Sequence, residues 1–265
     1  MDSAYLSPGM GEHIVVVTQV SERQWHALGD DRVVGRGEVS RRPDGRRFLS
    51  VDAWHGTVFD HLADAMLAYL PRPLYTVVDE ADLESLLRWE RTGFAPRRRE
   101  WEYVVPTDPR ITGLGSTLPP PGVTTLAAGE AEEGPLRMLD RVIRDEVEAT
   151  LGWRNMPAEV LANSDGTVLL EPAKYAVAAQ FGRYVGLARV VPLPRQPRIG
   201  LIAVRADLRR RGIARALLAQ VLDSAHRRGI ATASAEVNQS NDAALALFEG
   251  VGARRAGSNL ELVRR

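Results

Sequence analysis

The sequence predicts a mixed α+β or α/β chain in two parts, and three observations carry that reading. Short apolar runs of strand length alternate with amphipathic helical runs along most of the 265 residues. A stretch at 107–122, with Pro109, Gly113, Gly115 and Pro119-Pro120-Pro121, divides the chain. Residues 199–218, IGLIAVRADLRRRGIARALL, read as a covered strand, a tight Arg/Gly turn and the first turns of a helix.

Composition bounds the rest. With 45% hydrophobic residues there is ample core for one large or two modest domains. The formal net charge is +0, so a sequence-independent grip on nucleic acid is not expected. The absence of cysteine removes disulfides, thiolate metal sites and cysteine nucleophiles. Lys174 is the one lysine among 34 basic residues, a bias of the kind found in high-GC bacterial genomes. The start, MDSAYLSPGMGEHIVVV, has no basic segment followed by a long apolar run, and nothing reaches membrane-spanning length. The expectation is a cytoplasmic protein that engages neither membrane nor nucleic acid, as a monomer or homodimer. His13, His26, His55, His61 and His226 are scattered without metal-ligand spacing, so no metal is expected.

Residues 1–11 read as a tail. Strands are predicted at 13–20, 32–40 and 46–54, the last two around the turn Pro43-Asp44-Gly45. A helix over 57–70 turns Val58, Leu62, Met66 and Leu70 inward, and a strand follows at 74–78. A helix over 79–91 should bury Leu83, Leu86 and Leu87, and 93–105 reads as a hairpin. After the linker come a short strand at Val123 and a long helix over 130–151, striped by Leu136, Leu139, Val142, Ile143 and Val147. A short helix at 157–162 and a hairpin of 175–180 with 184–191, turned at Gly182, precede the central strand and the helix to Arg227. A strand at 231–237, a helix at 242–248 and a strand at 259–263 complete the chain.

The turn at 209–214 is built for an anion. The first N–H groups of a helix lack intrahelical partners and sit at the positive end of its dipole. Small residues such as Gly212 and Ala214 let a diphosphate approach them. Arg209-x-x-Gly212-x-Ala214 closely resembles the acetyl-CoA motif (Q/R)-x-x-G-x-(G/A) of the GCN5-related N-acetyltransferases, the GNAT superfamily. A second stretch is similar to the same family: Glu236 in a strand, then Asn241-x-x-Ala244-x-x-Leu247-Phe248-x-x-x-Gly252. Here Phe248 stands where the family has tyrosine, and Ala253 where it has phenylalanine.

The resemblance implies a GNAT domain over 122–265 that uses acetyl-CoA as co-substrate and transfers the acetyl group directly to a primary amine, most readily one on a small molecule. It implies that Ile202, Ala203 and Val204 pair with the pantetheine arm and that Val204 N–H faces the thioester oxygen. Arg209, Arg210, Arg211, Gly212, Ile213, Ala214 and Arg215 would grip the pyrophosphate, with Asn241 and Phe248 along the same ligand. Glu236 would be the general base, unless it is spent on an arginine across the sheet. Asn241 reads equally as a helix cap. Trp153 would either line the acceptor site or cover the edge of the core. With phenylalanine at 248, an acyl-CoA-binding sensor without turnover is the alternative to an enzyme.

The first half, 12–106, reads as a worn copy of the second. Trp89-Glu90-x-x-Gly93-Phe94 aligns with Phe248-Glu249-x-x-Gly252-Ala253, which sets Asp82 against Asn241 and Val77 against Glu236. The pyrophosphate turn has no counterpart there, because 51–57 offers only His55-Gly56. The expected fold is therefore two GNAT-like domains, each a mixed, mostly antiparallel twisted sheet flanked by helices, joined by a linker at 107–121. Only the second is expected to bind acetyl-CoA.

Overall fold

A computed structural model describes residues 15–150, 152–156, 158–193 and 195–265. Twelve strands form one continuous sheet in the order β1-β2-β3-β4-β5-β12-β6-β11-β10-β9-β8-β7. The first half supplies β1 (Val16–Ser21), β2 (Gln24–Gly29), β3 (Arg32–Arg41), β4 (Arg47–Ala53), α1 (Gly56–Tyr69), β5 (Leu74–Asp79), α2 (Leu83–Arg91) and β6 (Ala95–Pro106). After a four-residue helix α3 (Pro109–Thr112), the second half supplies β7 (Val123–Leu126), α4 (Glu133–Glu148), β8 (Tyr175–Gln180), β9 (Arg183–Val191) and β10 (Arg198–Val204). It continues with α5 (Ile213–Arg227), β11 (Thr232–Asn238), α6 (Asp242–Glu249) and β12 (Arg254–Arg264). Parallel pairing occurs at β4–β5 and β10–β11; the other described pairs are antiparallel.

The halves exchange their last strands. β6, from the first half, lies between β11 and β12, while β12 lies between β5 and β6. Burial follows the exchange. Leu260 and Leu262 of β12 belong to the core of the first half, with Trp25, Leu62, Met66 and Trp89. Tyr103 and Val105 of β6 belong to the core of the second half, with Leu217, Leu222 and Phe248. Each fully buried residue of this size stabilises by about 1.5–3 kcal/mol, so neither half closes its core with its own sequence.

Two local hydrogen bonds of the aligned segments recur in both halves. Asp82 Oδ1 accepts from Ser85 N at 3.0 Å, and Asn241 Oδ1 from Ala244 N at 3.1 Å. Phe94 N donates to Trp89 O and Ala253 N to Phe248 O, both at 3.1 Å, closing the two helices at Gly93 (φ 88°) and Gly252 (φ 75°). Positive φ at that position is the reason both copies carry glycine. These equivalent residues are offset by 159, as from Asp82 to Asn241. β6 and β12 pair about Glu100↔Asn259, also 159 apart, so an approximate twofold passes through that pair.

Several expectations need correction. The hairpin expected at 93–105 is the single strand β6, with its partners in the other half. The expectation left 24–29 outside any element; these residues form β2, in which Trp25, Ala27 and Gly29 alternate inward. Asp30 and Asp31, both at positive φ (48° and 58°), make the turn that follows. Leu83 and Leu87 are exposed, and α2 buries Trp89 instead. Val142 is exposed on α4, whereas Leu136, Leu139, Ile143 and Val147 are buried. The expected helix at 157–162 is a single tight turn, Ala158–Val160. The segment expected as a linker packs Thr107, Thr112 and Leu114 into the interior, so it is no solvated spacer. The expected tail lies outside the described residues, as does His13.

Candidate acyl-donor cleft

The cleft begins with a strand that leaves its neighbour. β10 pairs with β11 only through Arg198↔Ser234 and Ile199↔Ala235. A register shift between Ile199 and Leu201, at Gly200, then turns β10 away while it stays paired to β9. Arg205 N donates to Val185 O at 3.0 Å. Because bonded residues alternate along an antiparallel pair, Val204 directs its N–H and C=O away from β9 and into the gap. A cleft of 700 Å³ opens there, lined by β10 from Ile199 to Val204, by the α5 start and by Glu236, Asn238, Asn241, Leu247 and Phe248 across from it.

Eight residues, 205–212, connect β10 to α5. Arg210 (φ 63°) and Gly212 (φ 87°) both take left-handed backbone, which curls the connection under the helix start. Gly212 is the N-cap and offers no side chain, so the first-turn N–H groups of α5 face the cleft uncapped. Gly212, Ile213, Ala214 and Arg215 line it, as do Arg209 and Arg210. Volume, exposed N–H donors and the missing Cβ together fit an extended ligand carrying a diphosphate.

The three arginines differ. Arg209 is a strap: its Nε donates to Val204 O at 3.1 Å and its Nη2 to Glu146 Oε2 at 3.0 Å. Glu146, on α4, also accepts from Ala206 N at 2.8 Å, so α4 fixes the turn. Arg210 faces the cleft. Arg211 donates to Asp207 O at 3.2 Å and is not among the residues lining the cleft.

Glu236 lines the cleft and forms an ion pair with Arg198 Nη1 at 3.5 Å. The arginine across the sheet is therefore present, and the carboxylate still lines the cleft. Asn241 lines the cleft and caps α6 as well. Phe248 is buried and stacks on Tyr103 with ring centroids 6.0 Å apart. The Tyr103 hydroxyl donates to Glu249 Oε1 (2.9 Å) and accepts from Arg255 Nε (3.0 Å), so it does not replace a hydroxyl missing at 248. Trp153 donates Nε1–H to Arg144 O at 2.9 Å and carries the Arg144 guanidinium over its ring; it covers α4 and does not line the cleft.

Three charged side chains at or beside the cleft were not read from the sequence: Glu146, Arg198 and Glu100. Glu100 lines the cleft from β6 and is only 14% exposed, with Arg98 Nη2 at 2.9 Å. Burial is the largest influence on its carboxyl and pushes it above the usual carboxylate range, with Glu236 and Glu261 adding to the rise and Arg98 and Arg42 opposing it. The alternation Arg98, Glu100, Glu102 just before Val104-Val105 was its signal: charges on one face of a strand that ends apolar need partners in a sheet interior. Among the described residues no group of three or more His, Asp or Glu side chains is placed to hold a metal ion, and no helix is long and apolar enough to cross a membrane.

Comparison with known proteins agrees with this geometry. Over 55 residues the chain is 47% identical to the [ribosomal protein bS18]-alanine N-acetyltransferase of Escherichia coli K12. That stretch is 21% of this chain and 37% of the relative's length. Among solved structures it superposes on a GCN5-related N-acetyltransferase from Sphaerobacter thermophilus (TM-score 0.63, 18% identity, 93% of this chain and 82% of that one). It also superposes on a tandem GNAT protein from the clavulanic acid biosynthesis pathway (TM-score 0.64, 12% identity, 91% and 82%). Residues 140–253 match the family model described as Acetyltransferase (GNAT) family, a family that uses acetyl-CoA.

Proposed function

We propose that the chain is an acetyl-CoA-dependent N-acetyltransferase that acetylates a primary amine by direct transfer, without an acyl-enzyme. The observation that carries this reading is the bulged strand β10, splayed from β11 and ending on an uncapped helix start. β10 offers its unpaired peptide edge to an extended arm, and the N–H groups from Gly212 to Arg215, with Arg210, meet the pyrophosphate. Val204 N–H takes the thioester oxygen as it gains charge. The amine nitrogen bonds to the carbonyl carbon, its proton passes to Glu236 directly or through water, and the carbon–sulfur bond breaks. The electron pair leaves on sulfur. A thiol of pKa ~8.5 departs as thiolate without a dedicated acid, so Phe248 is compatible with turnover.

The acceptor in this reading is a small-molecule amine. A protein N-terminus is the second candidate, favoured by the name of the Escherichia coli relative, although a shared stretch of 55 residues is little to carry an acceptor. The reading places the protein in the cytoplasm and gives it no metal. Calorimetric titration with acetyl-CoA, and with desulfo-CoA for comparison, is the test. One site per chain is expected; absence of binding by the folded chain would end the reading. Glu236→Gln should keep that binding and slow thiol release by 10²-fold or more, on the order of general-base contributions. If acetyl-CoA binds and no amine releases thiol, the protein is an acyl-CoA sensor.

A further inference from the structure

Among the described residues that line the cleft, Glu100 alone comes from the first half of the chain. The strand exchange brings it there, because β6 replaces the second half's own last strand beside β11. Glu100 pairs directly with Asn238, and Glu102 with Glu236. Opposed residues of an antiparallel pair share a face, so Glu236 and Glu100 stand as diagonal neighbours on one side of the sheet. Glu102 turns to Asn259, whose Nδ2 donates to it at 2.5 Å, and does not line the cleft.

The surroundings of Glu100 leave it partly uncompensated. Its ion-pair partner Arg98 is shared: Arg98 Nε also meets Glu261 at 3.2 Å, and its Nη1 donates to Asn155 O. Glu261, 2% exposed, is in turn the common partner of Arg42, Arg46, Arg97 and Arg98. Glu100 thus faces Arg98 on its own strand, Glu236 on β11, Arg42 just past the end of β3 and Glu261 on β12, inside a cleft that opens to solvent. The Glu100 and Glu236 carboxylates both line that cleft.

We propose that Glu100 is a catalytic residue supplied by the first half: with Glu236 it holds the acceptor's primary ammonium and receives the proton that nitrogen sheds before it attacks. This rests on the acetyltransferase reading above. The ammonium gives one proton to Glu100 and becomes an amine. The nitrogen then bonds to the acetyl carbon while the carbon–sulfur bond breaks, and its second proton passes to Glu236. The thiolate takes one proton from solvent, and the two carboxylic acids return theirs, so one proton is released per transfer.

The test uses the full chain, with spermidine, alaninamide and 2-phenylethylamine as probe amines and thiol release as the readout. Glu100→Gln should bind acetyl-CoA as the parent does, which separates this proposal from the one beneath it. Its kcat/KM should fall by about 10²-fold. In the parent, activity should rise with pH along a limb whose midpoint lies above the usual carboxylate range, since a base must be ionised to work; in Glu100→Gln the nitrogen must arrive already neutral, so that limb should move to higher pH, toward the amine's own pKa. Glu100→Asp, which keeps the carboxylate, should restore part of the rate and the limb, and serves if the Gln variant fails to fold. Glu102→Gln should change the rate by less than about twofold. Parental kcat/KM and an unmoved limb in Glu100→Gln would make Glu100 a structural ion-pair partner and overturn the proposal. A parent that binds acetyl-CoA yet releases thiol with none of the three amines would overturn it too; a parent that binds no acetyl-CoA would bring down the acetyltransferase reading itself.

Discussion

In the first half, β4 passes into α1 through two residues, Trp54 and His55; in the second, β10 passes into α5 through eight. Both strands pair in parallel with the next one for only two residues and then diverge, so both halves have the gap. What fills it differs. In the second half, Leu247 lines an open cleft. Its equivalent in the first half, 159 residues earlier, is Arg88, whose guanidinium lies against the start of α1, where a Cβ on Gly56 would fall 1.8 Å from Nη2. Glu84 (2.7 Å) and Asp60 (3.5 Å) hold it there. A cation at a helix N-terminus opposes the dipole and occupies the place an anion would take. One scaffold thus carries either an open cleft or a closed joint, set apart by the length of one connection and one side chain.

The largest effect that tests this contrast is expected at Gly212. Replacement by valine puts a β-branched residue at φ 87° and should weaken acetyl-CoA binding by more than about 100-fold in calorimetry. The mirror change, Arg88→Leu, should leave the stoichiometry at one per chain, because two residues cannot make the turn; a second site would break the comparison. Next in size is Leu262→Ala on β12. It empties a fully buried position in the core of the first half and should cost about 2–5 kcal/mol in denaturant unfolding. Fluorescence of Trp25 and Trp89 should follow the loss, although the substitution lies in the second half of the chain. A transition of the first half left at its parental midpoint would refute the shared core. The smallest effects are at the two caps. Asp82→Ala and Asn241→Ala should each cost about 1 kcal/mol, and acetyl-CoA affinity should fall only for Asn241, which lines the cleft.

What the sequence made legible was local. The Arg209–Ala214 turn, the caps at Asp82 and Asn241 and the closing glycines at 93 and 252 declare themselves within a few residues, because hydrogen bonds between near neighbours fix them. Strand partners do not. β6 has alternating charges that fit an exposed hairpin as well as a central strand whose charges are paired, and only the fold supplies Glu261 and Asn259 as neighbours. Glu100 was missed for that reason: it lies in the half that shows no ligand motif. β2 was missed because Asp30-Asp31 was not recognised as a turn. Leu83 and Leu87 follow helical spacing and are nevertheless exposed, since periodicity does not say which face of a helix meets a sheet.

The exchanged strands also set the order in which a growing chain can fold. The first half is complete as sequence at Pro106, yet the strand that belongs between β5 and β6 is Arg254–Arg264. At roughly 5–20 residues per second, synthesis of the intervening chain takes on the order of ten seconds. During that interval β5 and β6 present unpaired edges, and the nascent first half keeps an open hydrophobic seam. Leu260 and Leu262 close it. The lateness of β12 therefore makes this protein's first-made part its last to become stable, and a chain interrupted before residue 254 should be degraded or aggregate, not persist as a folded fragment.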